Sequence, residues 1–201
     1  MRKFILLSLS GLLLAVSLPA SAASSVELLK RFLSSVDAYS AEFEQVVLDE
    51  NLRQIDDASG TLTILRPGRF RWDYNPPAEQ QIIGDGKKVW LYDLELKQVI
   101  VRDQEASLGQ SPAILLAGKT SRLNNFTLED RGLQGKLQWV KIIPKGDDSG
   151  FDDIQVGFLD SALSIMVLVD GLGQTTRISF INGVENPVLP AEQFQFSAPD
   201  D

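Results

Sequence analysis

The sequence predicts a mainly β protein: one curved antiparallel sheet or barrel of about eleven short strands, with two helices set against its concave side. Three observations predict it. Segments of six to nine residues with strand character follow one another at short intervals, divided by turn residues. Gly84-Asp85-Gly86 and Asp170-Gly171 read as hairpin turns, which favours an antiparallel meander. Only two short stretches carry helical periodicity, too few to cover a large sheet on both faces. No internal repeat, low-complexity tract or linker divides the chain, so a single domain is expected.

The first element is a leader. Arg2-Lys3 precedes the apolar run Phe4 to Leu18, followed by Pro19-Ala20-Ser21-Ala22. This is the pattern of a secretory signal peptide over residues 1–22, with cleavage expected between Ala22 and Ala23. The apolar run is too short for a membrane span and ends in small residues. The mature chain, residues 23–201, is expected to be exported and soluble, without stable membrane insertion. Losing Arg2 and Lys3 takes the net charge from −8 to −10, which disfavours nucleic acid as a partner. The chain contains no cysteine, so it has no thiol to acylate and no disulfide, and hydrophobic burial must hold the fold.

Ser24 and Glu27 form a capping box, and Val26, Leu29, Phe32, Leu33 and Val36 recur at helical spacing up to about Asp37. Strands are expected near 40–48, 60–66, 69–74, 79–84, 87–92 and 97–102. A second set is expected near 126–130, 136–143, 153–159, 163–169 and 174–181. Between the two sets, Ser111-Pro112 opens a short apolar helix, Ala113 to Ala117, ended by Gly118. Val89-Trp90-Leu91-Tyr92 is apolar on both faces, so both sides of the sheet are covered there. Close-packed core and a ligand-lined cavity both explain such runs, and pattern alone does not separate them.

Zero histidine and zero cysteine exclude Ser-His-Asp and Cys-His nucleophilic sites and the usual zinc centres. The acidic pairs Asp56-Asp57, Asp147-Asp148, Asp152-Asp153 and Asp200-Asp201 are the remaining catalytic or cation-binding candidates. They read as solvated turns or tail, and the 147–153 run lacks the ligand alternation and closing glutamate of an EF-hand. Gly118-Lys119-Thr120 is not a phosphate loop, because Ala113 stands where its first glycine is needed. No enzyme, cofactor or metal is expected.

The segment Arg66 to Tyr74 is the most informative. Pro67-Gly68 makes a tight turn at a strand end, beside Arg66. Strand alternation then points Phe70, Trp72 and Tyr74 one way and Arg69, Arg71 and Asp73 the other. An aromatic wall thus begins next to a cation.

Together with Tyr39-Ser-Ala-Glu-Phe43-Glu-Gln45, Gly60-x-Leu62, Asp85-Gly86-Lys-Lys-Val-Trp90-Leu-Tyr92 and Phe194-x-Phe196, this segment resembles the periplasmic outer-membrane lipoprotein carrier family, LolA. The match runs in order over nearly all of the mature chain. The resemblance implies an incomplete, unclosed antiparallel β-barrel with a lid of short α-helices over an apolar cavity. It implies a periplasmic monomer that accepts lipoproteins from the inner-membrane ABC transporter LolCDE, shields their acyl chains and delivers them to the outer-membrane receptor LolB. Residue by residue, Arg66 corresponds to the family's lid latch and Phe70 to a residue of the mouth that bears on transfer. Trp72 and Trp90 would be cavity wall. Leu29, Phe32, Phe43, Ile114 and Leu115 are further cavity residues, chosen by their faces. Two alternatives stay open: a related lipid or lipoprotein sensor, similar to the carrier-like domain of proteins such as RseB, and an exported enzyme working through paired carboxylates.

Overall fold

A computed structural model describes residues 23–77, 79–107, 112–146 and 150–197. Ala22, Ser111, Asp147-Asp148 and Asp200-Asp201 lie outside the described residues.

Helix α1, Ser25–Ser35, begins where the capping signal places it, with the Ser24 hydroxyl accepting from the Glu27 amide at 3.3 Å. Its buried side is Leu28, Leu29, Phe32 and Leu33. Six strands follow: β1 (Ala38–Leu48), β2 (Gln54–Leu65), β3 (Arg69–Tyr74), β4 (Gln80–Asp85), β5 (Lys88–Asp93) and β6 (Gln98–Asp103). Helix α2, Pro112–Ala117, and a 3-10 turn, Thr120–Asn125, lead to the second set. This comprises β7 (Phe126–Gln134), β8 (Leu137–Pro144), β9 (Asp153–Leu159), β10 (Ala162–Val169) and β11 (Thr175–Glu185). A last 3-10 turn spans Ala191–Phe194.

All eleven strands form one antiparallel sheet in the order β6-β5-β4-β3-β2-β1-β11-β10-β9-β8-β7. It is two meanders joined where β1 pairs with β11, and β6 and β7 remain as free edges, so the barrel is not closed. The strand expected at 60–66 begins six residues earlier, at Gln54. The stretch Asp56-Asp57-Ala58-Ser59 has poor strand propensity, but its backbone pairs with Glu44 to Val47 of β1, and pairing overrides propensity. Asp56-Asp57 therefore sits on an exposed strand rather than in a turn. Asp153 opens β9 and pairs with Lys141 of β8 at 2.9 Å.

The inner face carries the main core, with Phe43, Leu62, Ile64, Phe70 and Trp72 from one half of the sheet and Val140, Ile142, Val156, Phe158 and Ile178 from the other. Both helices pack into it. Two glycines show how tightly. A Cβ on Gly60 would lie 1.9 Å from the Asp73 carbonyl oxygen, and one on Gly84 would lie 2.2 Å from the Phe70 ring. The outer face is covered locally by the carboxy-terminal segment. Phe194 is buried there, and Phe196 stacks on Trp90 at 6.2 Å and meets Tyr92 edge-on at 5.7 Å. Trp90, expected in the cavity wall, thus lies on the opposite side of the sheet. Strand alternation sends Val89 and Leu91 inward and Trp90 outward, where Phe196 stacks on it.

Helix α1 is held along its length. The Ser25 hydroxyl donates to Asp130 at 2.6 Å, and Arg31 bridges Glu185 at 3.1 Å and the Ser161 carbonyl at 2.7 Å. The Asn186 side-chain oxygen accepts from the Asp37 amide at 2.7 Å. The Ser25 hydroxyl, with the Gly132 amide, lowers the Asp130 pKa below the ordinary aspartate value. A lowered carboxylate pKa stabilises the fold above the unfolded-state value, and that stabilisation is lost as pH falls through the folded-state value. Because Asp130 is exposed and solvent screens the interaction, Ser25→Ala is expected to cost only about 0.5 kcal/mol at neutral pH. In urea titrations the gap between wild type and variant should narrow once the pH drops below the ordinary aspartate range.

Candidate functional site

Arg66 leaves the end of β2 with its backbone amide bonded to the Asp37 carbonyl at 2.8 Å, which places its side chain between the carboxy-terminal ends of both helices. Its Nε donates to the Gly118 carbonyl at 3.1 Å, Nη2 to the Leu116 carbonyl at 2.6 Å, and Nη1 to the Val36 carbonyl. Val36 is the carboxy-terminal cap of α1; Leu116 and Gly118 lie at the end of α2. Carbonyls at helix ends lack intrahelical partners, and the negative end of the helix dipole favours a cation. One guanidinium, with five donors in a fixed fork, serves both helices. Its carbon lies 4.8 Å from the centre of the Phe32 ring.

Burial pushes the Arg66 pKa down to about 10, partly countered by the Asp37 carboxylate, so the group stays charged at neutral pH. The sign matters. Burial disfavours the charged form, so desolvation opposes the hydrogen bonds, and the closed arrangement is less stable than three charge-assisted bonds alone would make it.

The turn after Arg66 is tied to two other elements. The Gly68 amide donates to the Ala117 carbonyl of α2 at 2.9 Å. Gly68 has φ +75, and a Cβ there would approach Gly86 Cα to 3.2 Å, so the Pro67-Gly68 turn lies against the β4–β5 turn. Gln104, fully buried, joins the two turns: its amide nitrogen donates to the Gly68 carbonyl at 2.7 Å, and its oxygen accepts from the Gly86 amide at 3.1 Å. Packing of these turns explains why the Arg-Pro and Asp-Gly motifs occur together in one chain. A lone glutamine carries no sequence signal, and Gln104 was not anticipated. Gln104→Leu would leave the buried Gly68 carbonyl and the part-buried Gly86 amide without their partner. We expect a loss of about 1–3 kcal/mol, read as a lower midpoint in chemical denaturation.

Beneath α2 lies a cavity of about 210 Å³. Trp72, Ile82, Leu91 and Ile114 line it from one half of the sheet and from α2, and Leu168 and Ile178 from the other half. Gln45 and Tyr74 mark one end, where the tyrosine hydroxyl donates to the glutamine oxygen at 3.3 Å. Burial, reinforced by the Asp56 charge, pushes the Tyr74 pKa up to about 12, so the hydroxyl remains protonated. Beyond that pair the surface becomes acidic, with Asp56, Glu79, Asp93 and Glu95 around a shallow pocket. Among the described residues no group of acidic side chains is arranged to hold a metal ion.

Of the residues expected in the cavity, Trp72 and Ile114 line it. Phe43 supports Trp72 from behind, with ring centres 4.8 Å apart. Leu29, Phe32 and Leu115 are buried in the surrounding core, where α1 and α2 pack on the sheet, and do not line the cavity. Phe70, expected at a mouth, is fully buried on Gly84. Its ring faces inward because β3 alternation places it on the same side as Trp72. Ile82, Leu91, Leu168 and Ile178 were not anticipated, because each is one apolar residue in a strand full of them.

The family described as outer membrane lipoprotein carrier protein LolA matches residues 34–197. The outer-membrane lipoprotein carrier protein of Methylobacillus flagellatus is 42% identical over 194 residues, covering 96% of this chain and 95% of that protein. That of Chromobacterium violaceum is 41% identical over 196 residues, covering 98% and 94%. Among solved structures, a LolA superfamily protein from Nitrosomonas europaea aligns with a TM-score of 0.50 at 11% identity, covering 87% of this chain and 99% of that one. A DUF1329 family protein from Desulfovibrio piger aligns with a TM-score of 0.52 at 9% identity, covering 84% and 95%. At such low identity these two structures speak for the fold alone.

Proposed function

The chain belongs to the outer-membrane lipoprotein carrier family LolA, and from that premise we propose how it carries its cargo: acyl chains enter the cavity beneath α2 when the Arg66 latch opens. The observation that carries this reading is the single guanidinium bonded to the ends of both helices above an apolar cavity. The protein works in the periplasm, takes lipoproteins released by LolCDE and passes them to LolB.

The energetics require both a donor and an opening. Each buried methylene is worth about 0.8 kcal/mol, so one long acyl chain resists transfer to water by on the order of 10 kcal/mol. The sequence carries no nucleotide motif, so extraction from the membrane draws on an energised donor. The cavity of about 210 Å³ lies below the roughly 300–1,000 Å³ usual for small-ligand sites. Several acyl chains fit only if α2 moves away. Arg66 and Gly68 donate to carbonyls at the carboxy-terminal end of α2, whereas α1 has its own ties to β7, β11 and the β9–β10 turn. In this reading the release of Arg66 frees the end of α2, which is the moving part. Breaking its latch reduces the net affinity for cargo, which keeps binding reversible and lets an acceptor with a somewhat better cavity take the chains.

The test is release. Purified mature protein is incubated with spheroplasts, or with reconstituted transporter, holding a labelled triacylated lipoprotein. Addition of ATP should bring the lipoprotein into the soluble fraction as a one-to-one complex. No release by a folded protein would overturn the carrier mechanism.

A further inference from the structure

Beside the latch, a cleft of about 280 Å³ opens between the end of α1, the Arg66 turn and the segment that follows α2, and Asp37, Arg66 and Lys119 are its charged lining. Asp37 stands directly opposite Arg66. The β1–β2 register, Ala38 on Leu65 and Tyr39 on Ile64, continues to this pair, and the Arg66 amide donates to the Asp37 carbonyl at 2.8 Å. Residues opposite each other on antiparallel strands carry their side chains on the same face, with Cβ atoms about 4.5–5.5 Å apart. A carboxylate there is within reach of a guanidinium. In the closed form, however, the two side chains do not bond. All three guanidinium nitrogens donate to carbonyls at the helix ends. The Asp37 side chain is exposed and takes no hydrogen bond or ion pair among the described residues, while its amide is satisfied by Asn186. Burial lowers the Arg66 pKa and the Asp37 charge raises it, so the two charges act on each other through space without contact.

We propose that Asp37 is the second seat of the Arg66 latch: when α2 lifts and takes the Leu116 and Gly118 carbonyls with it, the guanidinium turns to the Asp37 carboxylate opposite. The inference rests on the carrier reading above. A cation released from its acceptors must find others, and a carboxylate can take two guanidinium donors at once in a charge-assisted pair. Asp37 attracts Arg66 in both forms but touches it only in the open one, so its net effect favours opening. The pair forms at the exposed rim of the sheet, where solvent keeps such contacts weak. A weak second seat eases opening without preventing the latch from closing after delivery.

The experiment measures affinity of the mature protein for a synthetic diacyl lipopeptide. Asp37→Asn should bind it about two- to fivefold more weakly than wild type, the range of one exposed ion pair, and Asp37→Glu should bind it as wild type does. In an Arg66→Leu background the Asp37→Asn replacement should change nothing further, because the seat acts only through the arginine. Tighter binding by Asp37→Asn would mean that the carboxylate supports the closed latch and would overturn the proposal. Unchanged affinity, or an equal loss in the Arg66→Leu background, would also overturn it. A loss that vanishes in a Lys119→Gln background but persists without Arg66 would assign Asp37 to the lysine across the cleft instead. In each of these cases wild-type binding leaves the carrier reading intact. Failure of wild type to bind the lipopeptide would remove both. Asparagine matches aspartate in shape and replaces a side chain that bonds nothing in the closed form, so the variant keeps its fold.

Discussion

Arg66→Leu is expected to take up lipoprotein from the donor and to fail in passing it on. The substitution removes three donors from the Val36, Leu116 and Gly118 carbonyls. In the closed form those oxygens would be buried beside an alkyl chain, whereas in the open form water reaches them. Unpaired buried acceptors cost about 1–3 kcal/mol each, but loss of the desolvated cation offsets part of this, so a net shift of about 3 kcal/mol toward the open form is reasonable. That is roughly a hundredfold in the closing equilibrium. Closing competes with cargo for the cavity, so its loss tightens retention. The check follows labelled lipoprotein from the variant to outer-membrane vesicles carrying the receptor: uptake near the wild-type level and delivery reduced at least tenfold.

Phe70→Glu is expected to fail at folding rather than at transfer. Read from the motif alone, Phe70 sits at a mouth, and a carboxylate there would jam or weaken delivery. In the structure the ring is fully buried, pressed onto Gly84 and surrounded by core. A glutamate at this position loses an aromatic side chain, worth about 3–5 kcal/mol on truncation, and buries a carboxyl group with no partner. The total approaches the whole stability of an ordinary domain, about 5–15 kcal/mol. The soluble yield of folded variant should collapse, and any remaining protein should unfold far earlier in denaturant. Phe70→Leu, which keeps the position apolar, is the variant that would reveal a separate role in transfer.

These two residues show where sequence reading succeeds and where it stops. Arg66 drew attention because Pro67-Gly68 fixes a turn at a strand end, but the latch role came only from the family resemblance, and its bonds to the helix-end carbonyls are visible only in the structure. Strand existence was legible because alternation and turns are local. The first half of β2 was not, because Gln54 to Ser59 are strand residues only through pairing with β1. Trp90 was misplaced because Val89 to Tyr92 is apolar on both faces. Which face meets the cavity is not local information: Trp90 and Tyr92 are covered by Phe196, a hundred residues away in sequence. Phe70 and Trp72 look equivalent in sequence, two residues apart on one face. Gly84 receives the first and seals it, while the second borders empty space. Gln104 shows the limit most clearly, since its two bonds join turns that only the folded sheet brings together.

The most direct test of the account is to find where the acyl chain lies. A lipopeptide with a photoreactive group at the end of one acyl chain would be bound, irradiated and its adducts located by mass spectrometry. The account predicts labelling at Ile82, Leu91, Ile114, Leu168 or Ile178, inside the sheet and under α2. Adducts confined to the outer-face group of Trp90, Val99, Val101 and Phe196 would contradict it, because cargo would then ride on the outside of the sheet and the Arg66 latch would have nothing to release.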